Sequence, residues 1–310
     1  MFTEIFVVLG VIFLLSLLGY IIPQLIVRYS RPLDLKTRYG GGWAFITGGN
    51  SGIGESFAKN VAALGFNVVI LARDQERLER VEFELKEINS QIKVKTIKAD
   101  LYGDPVQVTE EIVKQLDGLD ISILYFNAGY AAHEDASNPS DKYLKQIHCN
   151  IITHQYIFQQ LYPRLANRQL NDSQKRRGAV LFTSSGLAII PNPGESVYGA
   201  TKAYMGHFGE CLATEADAFG IDVVSVYPGV VKTRFTRDRT KELPKFLKKI
   251  SINPDRVAHD AISGLGRVTR VDTGYMAITM RLITKVFDSY ITIKFIQKIT
   301  SGKKKENQTQ

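Results

Sequence analysis

The chain has 310 residues, of which 45% are hydrophobic and 23% charged, and its formal net charge at pH 7 is +8. It contains no internal repeat, low-complexity tract or P-loop lysine, which excludes a repeat protein and a P-loop nucleotide-binding protein and favours one large domain with appendages. The two cysteines have no metal-binding or redox spacing and the five histidines have no ligand-like spacing, so we expect no metal site and a reducing compartment.

The first element is an uncharged segment that extends from Ile5 to Val27, between Glu4 and Arg28. As a helix, its 23 residues at about 1.5 Å each reach about 34 Å, which is enough to cross a hydrocarbon core of about 30 Å. The segment lacks the basic start, the short apolar run and the small-residue cleavage site of a secretory signal peptide. We therefore predict a transmembrane anchor at residues 1–27, and a buried helix is the alternative.

Charges beside this segment predict its orientation. Residues 28–40 follow the segment and are expected to be a basic linker. They contain one acidic residue, Asp34, and four basic residues, Arg28, Arg31, Lys36 and Arg38. Because basic flanks stay on the cytoplasmic side, we expect the domain that follows to face the cytosol. In that orientation the acceptor sequence Asn171-Asp172-Ser173 stays unglycosylated.

A glycine-rich turn follows the first predicted strand. Gly48, Gly52 and Gly54 lie between the apolar run WAFIT and an amphipathic helix, where glycine permits a tight turn and lets backbone N–H groups approach a pyrophosphate. The next apolar run ends at Arg73, about twenty residues on, where an acidic residue would bind a ribose 2′-hydroxyl and an arginine accommodates a 2′-phosphate. The pattern predicts a site that prefers NADP(H) to NAD(H), although Asp74 follows directly. An ordinary glycine turn and a solvated arginine are the alternatives.

Six apolar runs alternate with helical patterns along the chain: WAFIT, NVVILA, VKTIKA, ISILYF, AVLFTS and DVVSVYP. Continuous apolar strands are expected when helices cover both faces of a parallel sheet. The predicted fold class is therefore α/β, a Rossmann-like doubly wound parallel sheet in a single domain, with an N-terminal transmembrane helix and a C-terminal amphipathic extension.

Tyr198 and Lys202 are four residues apart in a predicted helix. Residues with this spacing share a helix face, so the Lys202 ammonium can lie beside the Tyr198 hydroxyl and lower a phenol pKa that is about 10 when unperturbed. Ser185, at the end of a predicted strand, could hydrogen-bond a substrate oxygen held against the phenol. Because such pairs occur by chance on many helix surfaces, this one indicates an acid–base centre only together with the other motifs.

These motifs resemble those of the short-chain dehydrogenase/reductase family over residues 41–273, which we expect to form an NADP-binding domain. The resemblance implies a catalytic set of four residues, Asn150, Ser185, Tyr198 and Lys202. It also implies cofactor contacts from Tyr198 and Lys202 and from several loops: Thr47, Gly48, Ser51, Gly52, Ile53, Gly54, Arg73, Asp100, Leu101, Asn127, Ala128, Gly129, Pro228, Gly229, Val231 and Thr233. One position departs from the family pattern, because Phe126 stands where the family has the first asparagine of NNAG, and we expect this change to affect packing more than chemistry.

The segment that follows the loop Pro228–Thr233 is strongly basic. The run KTRFTRDRTKELPKFLKKI has eight basic residues against two acidic ones, and the resulting +6 is most of the +8 of the chain. Basic side chains interleaved with apolar ones suit a ligand with an anionic head and an apolar tail, or a lid on anionic lipid, and a solvated basic face is the alternative. Nucleic acid is not expected as a partner, because no recognition helix or stacking platform accompanies the charge.

Residues 274–310 mix apolar and basic side chains and end in a basic tail. Because charges interrupt the apolar residues, a second membrane span is excluded. We predict an amphipathic extension that lies on the bilayer surface or caps the substrate channel, and packing in the core is the alternative.

The anchor, the run GLDISILYFNAG, the SSG strand end and the TGY tail together resemble the membrane-bound very-long-chain 3-oxoacyl-CoA reductases and the 17β-hydroxysteroid dehydrogenases. This resemblance implies NADPH-dependent reduction of a lipid carbonyl, 3-oxoacyl-CoA to 3-hydroxyacyl-CoA, in fatty-acid elongation at the endoplasmic reticulum membrane. It implies membrane lipid and other elongation enzymes as partners and allows a homo-oligomer. The tail has no dilysine retention signal. Reduction of 3-ketodihydrosphingosine, a steroid or a retinoid stays open, as does a non-catalytic membrane scaffold.

Overall fold

Seven parallel strands form one sheet in the computed structural model, which describes residues 2–134, 136–138, 140–170, 174–240 and 248–308. The strands are β1 (Trp43–Thr47), β2 (Asn67–Ala72), β3 (Val94–Lys98), β4 (Ile121–Phe126), β5 (Gly178–Thr183), β6 (Ile221–Pro228) and β7 (Arg270–Thr273). Their order across the sheet is β3-β2-β1-β4-β5-β6-β7, the doubly wound arrangement of a Rossmann-like fold. The predicted α/β fold class is confirmed.

Helices cover both faces of this sheet and extend beyond it at both ends of the chain. They are α1 (Phe2–Tyr29), α2 (Leu35–Tyr39), α3 (Gly52–Ala63), α4 (Gln75–Ile88), α5 (Pro105–Gln115), α6 (Asp141–Ile147), α7 (Thr153–Ala166), α8 (Ser196–Ala216), α9 (Arg234–Thr240), α10 (Pro254–Gly264), α11 (Tyr275–Val286) and α12 (Ser289–Gln308). A π-helical turn at His148–Ile152 precedes α7, and a 3-10 turn at Gly186–Ala188 follows β5.

Alternate side chains of each strand point into two separate hydrophobic cores. In β1, Phe45 packs on one face with α5, α7 and α8, whereas Ala44 and Ile46 pack on the other with α3, α4 and α10. All three side chains are fully buried. Because both faces are covered, the central strands are continuous apolar runs, and this is why six strands can be recognised from the sequence.

The seventh strand is absent from the predicted runs. β7 has four residues, RVDT, and pairs in parallel with β6 at the sheet edge. Arg270 and Asp272 form an ion pair with an N–O distance of 3.0 Å, while Val271 between them is fully buried. Two charged residues in a strand of four break the apolar pattern, so only the pairing with β6 identifies it.

Phe126, the departure from the family pattern, lies in an aromatic cluster. Its ring stacks on that of Phe182 in the neighbouring strand, with centroids 5.3 Å apart and planes inclined by 12°, and Phe158 of α7 contacts both rings. Such ring pairs contribute about 0.5–1.5 kcal/mol beyond their burial. The departure therefore adds apolar packing beside the NAG turn and leaves the polar groups of that turn in place.

The N-terminal helix α1 is long and apolar enough to cross a membrane, with a mean hydropathy of 2.9. One face of its second half contacts the domain. Tyr20 and Val27 are buried there, and Gln24 Oε1 accepts from the Asp272 N–H at 3.1 Å. The opposite face stays exposed and includes Ile22. The helix α1 thus packs against the edge of the sheet along part of its length.

The segment predicted to be a basic linker, residues 28–40, packs against the domain. The Asp34 carboxylate caps α2 by accepting a backbone N–H of the first turn at 3.1 Å. Leu35 and Tyr39 of this helix are fully buried, and the Tyr39 hydroxyl donates to Asp222 at 2.7 Å. This segment was expected only to link the N-terminal helix to the domain, but it packs as part of the domain.

The C-terminal extension forms two helices, α11 and α12, separated at Phe287 and Asp288. The Asp288 carboxylate accepts from the Tyr290 N–H at 2.8 Å and so begins the second helix. Ala277 of α11 is fully buried, whereas Tyr290 and Phe295 of α12 are about two-thirds exposed, at 66% and 64%. The extension is attached to the domain through α11 and exposes apolar side chains on α12.

Candidate active site

The four predicted catalytic residues lie at the carboxyl edge of the sheet. Ser185 follows β5, Tyr198 is in the first turn of α8, Lys202 is one turn further, and Asn150 is in the π-helical turn before α7. Ligands of doubly wound folds bind at this edge, outside the carboxyl ends of the strands. The structure therefore brings all four residues to the region where a ligand is expected.

Lys202 is buried, and its ammonium is held by the backbone of β5. The residue is 3% exposed, and Nζ donates to the Thr183 carbonyl oxygen at 2.8 Å. Desolvation by burial lowers the pKa of Lys202 from 10.5 to about 8. Nζ lies 5.9 Å from the centre of the Tyr198 ring, so the positive charge is near the phenol, as the spacing predicts.

Asn150 and Lys202 meet at Gly129 of the NAG turn. A Cβ atom on Gly129 would lie 3.3 Å from Lys202 Nζ and 3.4 Å from Asn150 Oδ1, so a side chain there would crowd both groups. Asn150 Oδ1 accepts from the Tyr130 N–H at 2.7 Å, and Nδ2 donates to the Tyr130 carbonyl oxygen and to Thr201 Oγ1, both at 2.9 Å. The Asn150 amide thus joins the segment after the NAG turn to α8.

Ser185 and Tyr198 carry the two hydroxyl groups of the site. Ser185 Oγ accepts from the Leu187 N–H at 3.2 Å. A hydroxyl that accepts one hydrogen bond retains its hydrogen for donation, which suits a substrate carbonyl oxygen. Tyr198 is 6% exposed, and its ring packs against Phe235 of α9 with centroids 6.0 Å apart. Sequence reasoning placed Phe235 only within a basic segment and missed its contact with Tyr198.

Glycines of the predicted cofactor loop have conformations and contacts that exclude side chains. Gly48 and Gly52 have φ angles of 69° and 58°, and a Cβ atom on Gly54 would lie 2.3 Å from the Gly48 carbonyl oxygen. α3 begins at Gly52 with Ser51 at its N-cap, and Ile53 packs partly on the core. The first N–H groups and the positive dipole end of α3 are thus at the turn, an arrangement that fits the pyrophosphate of a dinucleotide.

Thr47 and Asn127 connect the glycine turn to the NAG turn. Thr47 is fully buried, and its Oγ1 accepts from the N–H groups of Asn127 and Ala128 at 2.9 and 3.0 Å. Asn127 Nδ2 donates to the Thr47 carbonyl oxygen at 3.0 Å, and Oδ1 accepts from Thr183 Oγ1 at 3.1 Å. Both side chains therefore position the two turns. Any cofactor contact from these two residues would come from atoms other than these bonded side-chain groups.

His154 is a residue of the site that sequence reasoning missed. Its Nε2 lies 3.1 Å from Thr47 Oγ1, and its Nδ1 lies 3.3 Å from the Asn150 carbonyl oxygen. Burial lowers the pKa of His154 to about 4, so the ring is neutral at pH 7. The only signal in the sequence is its position four residues after Asn150.

Charged residues follow the carboxyl ends of β2 and β3, next to the predicted cofactor site. The Arg73 guanidinium lies 3.8 Å from the Asp100 carboxylate, and both side chains are about half exposed or more, at 61% and 48%. The next residue, Asp74, caps α4 by accepting from the Arg77 N–H at 3.3 Å. Its carboxylate also pairs with the Arg77 guanidinium at 3.1 Å. Leu101 is buried next to this end. Asp74 is thus directed to its own helix, and Arg73 is the exposed charge at the end of β2.

The loop after β6 returns to the glycine turn. Pro228 ends β6, Gly229 donates its N–H to the end of β7 at 2.9 Å, and Val231 is buried. A Cβ atom on Gly52 would lie 2.9 Å from Thr233 Cγ2. The structure therefore brings the two predicted cofactor loops into contact, although they are far apart in the sequence.

An apolar cavity of about 510 Å³ lies beside the 3-10 turn that follows Ser185. It begins at Leu187, which donates its N–H to Ser185, and continues along the face of α8 that carries Gly199 and Ala203. Ile293 and Ile296 of α12 complete the wall. α12 therefore lines this cavity, and its role as a cap of the substrate channel stays a prediction.

The basic segment is described in part. Residues 241–247 lie outside the described residues, as do Asn171, Asp172 and Ser173 of the glycosylation sequence. Five basic residues of the segment are exposed: Lys232, Arg234, Arg237, Lys248 and Lys249.

The family model for short chain dehydrogenases matches residues 42–244. The chain belongs to the short-chain dehydrogenase family. Members of this family bind NAD(P), and the protein is an oxidoreductase that acts on hydroxyl and carbonyl groups. The glycine turn and the groups around Tyr198 and Lys202 fit these expectations.

Within this family the chain is similar to reductases and dehydrogenases of lipids. It is 31% identical to very-long-chain 3-oxoacyl-CoA reductase of Macaca fascicularis, over 82% of this chain and 78% of the relative. It is 29% identical to 17-beta-hydroxysteroid dehydrogenase type 3 of Homo sapiens, over 86% and 91%. A short-chain dehydrogenase from Sphingobium yanoikuyae in complex with NADPH has a TM-score of 0.65 and 26% identity, over 74% and 87%. The predicted resemblance to these groups is confirmed.

Proposed function

We propose that this short-chain dehydrogenase uses NADPH to reduce a lipid-derived carbonyl, and that the substrate is a 3-oxoacyl-CoA converted to the 3-hydroxyacyl-CoA in fatty-acid elongation. One observation carries the proposal: the apolar cavity begins at Leu187, whose N–H donates to Ser185 Oγ, so an apolar chain in the cavity would lie beside the segment that carries this hydroxyl. Similarity to very-long-chain 3-oxoacyl-CoA reductases supports the choice of substrate.

The side chains of the site are suited to acid catalysis. Ser185 donates a hydrogen bond to the substrate carbonyl oxygen and orients it beside Tyr198. The Tyr198 hydroxyl transfers its proton to this oxygen as negative charge develops on it. Lys202, held by the Thr183 carbonyl oxygen, stabilises the resulting phenolate by its charge. Bound NADPH supplies the hydride.

Asn150 is a positioning residue in this mechanism. Its amide is bonded to the backbone of Tyr130 and to Thr201, so it fixes the π-helical turn against α8. This arrangement keeps Lys202 beside Gly129 and next to the phenol. Without it the ammonium would lose part of the packing that sets its position.

The charges at the end of β2 support NADP(H) as the cofactor. Arg73 is exposed there, whereas the Asp74 carboxylate is engaged as the cap of α4. A guanidinium can bind a 2′-phosphate, and a carboxylate directed elsewhere does not repel it. In this assignment Asp100 and Leu101 contact the adenine and the loop Pro228–Thr233 contacts the nicotinamide amide.

Exposed cations near the mouth of the site support a substrate with an anionic head. Lys232, Arg234 and Arg237 follow the loop that approaches the glycine turn. The phosphates of coenzyme A are suited to such a cluster, because charge-assisted hydrogen bonds to phosphate are strong. The acyl chain would occupy the apolar cavity beside α12.

We assign the protein to the endoplasmic reticulum membrane as a single-pass protein whose catalytic domain faces the cytosol. Residues 1–27 act as the anchor, and the basic residues that follow stay on the cytosolic side. Membrane lipid and other enzymes of the elongation cycle are the expected partners, and a homo-oligomer is compatible with this arrangement.

A steroid is the second candidate substrate. The chain is 29% identical to 17-beta-hydroxysteroid dehydrogenase type 3 over most of its length, and a rigid apolar ring system could also enter an apolar cavity. A steroid has no anionic head, so it would leave the exposed cations without a role.

NADPH consumption by the full-length protein in detergent distinguishes these possibilities. The panel is 3-oxostearoyl-CoA, 3-ketodihydrosphingosine, estrone and retinal. We expect the highest kcat/KM with 3-oxostearoyl-CoA. Preference for estrone would replace the acyl-CoA assignment, and tight NADPH binding without turnover of any compound would indicate a scaffold.

A further inference from the structure

A second cavity, of about 790 Å³, lies between α1, α11 and the amino-terminal ends of β6 and β7, and we name it the anchor cavity. Thr214 lines it and is sixteen residues beyond Tyr198 in α8, which corresponds to about 24 Å along the helix. The cofactor loops and the catalytic residues lie at the opposite, carboxyl edge of the sheet. The anchor cavity is therefore separate from the active site.

Five cations line the anchor cavity. Arg176 is paired with Asp217, and Arg270 is paired with Glu210 and Asp272, whereas the other three have no carboxylate partner in the described part of the chain. Arg281 and Lys285 lie one turn apart on α11, and Arg267 comes from the loop before β7. Arg267 donates to backbone carbonyl oxygens, and Lys285 Nζ donates to Ser16 Oγ at 3.1 Å. Arg281 Nε is buried and has no hydrogen-bond partner among the described residues. An arginine N–H in that position indicates a missing acceptor.

The acidic side chains of the same cavity are already paired. Asp222 accepts from Arg38 at 2.6 Å and from Tyr39 at 2.7 Å, and it also lies 3.3 Å from Arg176. Asp217 accepts from Arg176 at 2.6 Å. Neither carboxylate therefore neutralises the cations of α11.

The position of the anchor cavity along α1 relates it to the membrane. Gly19, Tyr20 and Pro23 of α1 line the cavity. Every residue from Phe2 to Ser16 is exposed, and these 15 residues reach only about 22 Å, less than a hydrocarbon core of about 30 Å. The helix can span the bilayer only if the turns beside the cavity also lie at its boundary. The cavity is then at the level of the lipid headgroups.

We propose that the anchor cavity binds the phosphate group of an anionic membrane phospholipid through Arg281, Lys285 and Arg267. A phosphate oxygen supplies the acceptor that Arg281 Nε lacks, and a phosphate accepts several charge-assisted hydrogen bonds at once. The exposed apolar residues of α1, which include Leu18, provide a surface for the acyl chains. Binding there fixes the angle of the domain to the bilayer, because it joins α11 to the anchor.

The proposal is tested with the full-length protein in a neutral detergent. The probes are dihexanoyl phosphatidic acid, dihexanoyl phosphatidylcholine and inorganic phosphate, and the readout is the rise in Tm with probe concentration. We expect phosphatidic acid to raise Tm at a lower concentration than either other probe. In Arg281→Gln/Lys285→Gln the midpoint of this rise should move to about tenfold higher concentration or more, as for the loss of charge-assisted bonds.

Lys114→Gln is the matched control, because Lys114 is an exposed cation on α5, outside the anchor cavity. It should respond to phosphatidic acid as the unchanged protein does. If the double variant has a lowered Tm without lipid, the single variants Arg281→Gln and Lys285→Gln replace it in the measurement. An equal response to phosphatidylcholine, or an unchanged midpoint in the variants, would overturn the proposal. If inorganic phosphate raised Tm at the same concentration as phosphatidic acid, the assignment of the phosphate to a lipid would be overturned.

Discussion

The Lys202 ammonium donates to the Thr183 carbonyl oxygen at 2.8 Å, while the Thr183 hydroxyl donates to Asn127 Oδ1 at 3.1 Å. The last residue of β5 thus fixes both the catalytic lysine and the NAG turn. Burial of the ammonium is tolerated because this backbone carbonyl satisfies one of its donors. The relationship connects the acid–base group to the cofactor side of the site through one strand end.

Replacement of the catalytic tyrosine separates chemistry from binding. In Tyr198→Phe the proton donor is lost but the ring remains, so we expect kcat to fall about 100-fold or more with little change in NADPH affinity. Tyr204→Phe, on the exposed side of the same helix, is the control and should retain activity. Near-normal turnover by Tyr198→Phe would remove the acid role from this residue.

The burial of Lys202 predicts a pH dependence of stability. The folded-state pKa of about 8 is below the ordinary value of 10.5, so between these values the unfolded chain binds more protons and stability rises with pH. Below pH 8 the cost of burying the charge is fully present. Lys202→Met lacks this cost, so its Tm advantage over the unchanged protein should shrink as pH rises from 8 to 10.5. A pH-independent difference in Tm would contradict this account.

Arg73 should determine the choice of cofactor. Removal of its guanidinium in Arg73→Ala is expected to raise KM for NADPH about tenfold or more and to leave KM for NADH nearly unchanged, because only NADPH has the 2′-phosphate. Lys93→Ala, an exposed cation before β3, is the control. Steady-state kinetics with both cofactors measure the effect. An equal change for both cofactors would argue against a 2′-phosphate contact.

The proposed role of α12 in binding the acyl chain can be tested by comparing substitutions at two positions of this helix. Ile293 lines the cavity and is 37% exposed, whereas Ile291 on the same helix is 53% exposed and is absent from the lining. A carboxylate on the cavity wall in Ile293→Asp should raise KM for 3-oxostearoyl-CoA about tenfold or more and affect acetoacetyl-CoA much less. Ile291→Asp controls for the general effect of a new charge on α12. Equal effects of the two variants would exclude a specific contact of α12 with the acyl chain.

The orientation in the membrane is tested at Asn171. If the domain faces the cytosol, the sequence Asn171-Asp172-Ser173 does not meet the glycosylation machinery, so endoglycosidase should cause no mass shift in protein expressed in eukaryotic cells. The control is a variant with an acceptor sequence added before residue 1, which should be glycosylated. A shift that disappears in Asn171→Gln would reverse the proposed topology.

The sequence alone indicated the apolar N-terminal helix, six of the seven strands and the glycine turn, and it predicted the four catalytic residues. These features depend on local patterns: continuous apolar runs, glycines at a strand end and residues four apart on one helix. The preference for NADP(H) followed from Arg73, but Asp74 left it ambiguous. Only the structure shows that Asp74 caps α4, because the N–H and the guanidinium of Arg77 engage its carboxylate.

Tertiary structure decided the features that depend on partners distant in the chain. β7 is recognisable only beside β6, and the supposed linker is part of the domain because Tyr39 reaches Asp222. His154 joins the site through Thr47, and α12 lines the apolar cavity through Ile293. Burial and hydrogen bonding between such residues leave no periodic trace in the sequence, since each partner is specified only by the fold that brings the two together.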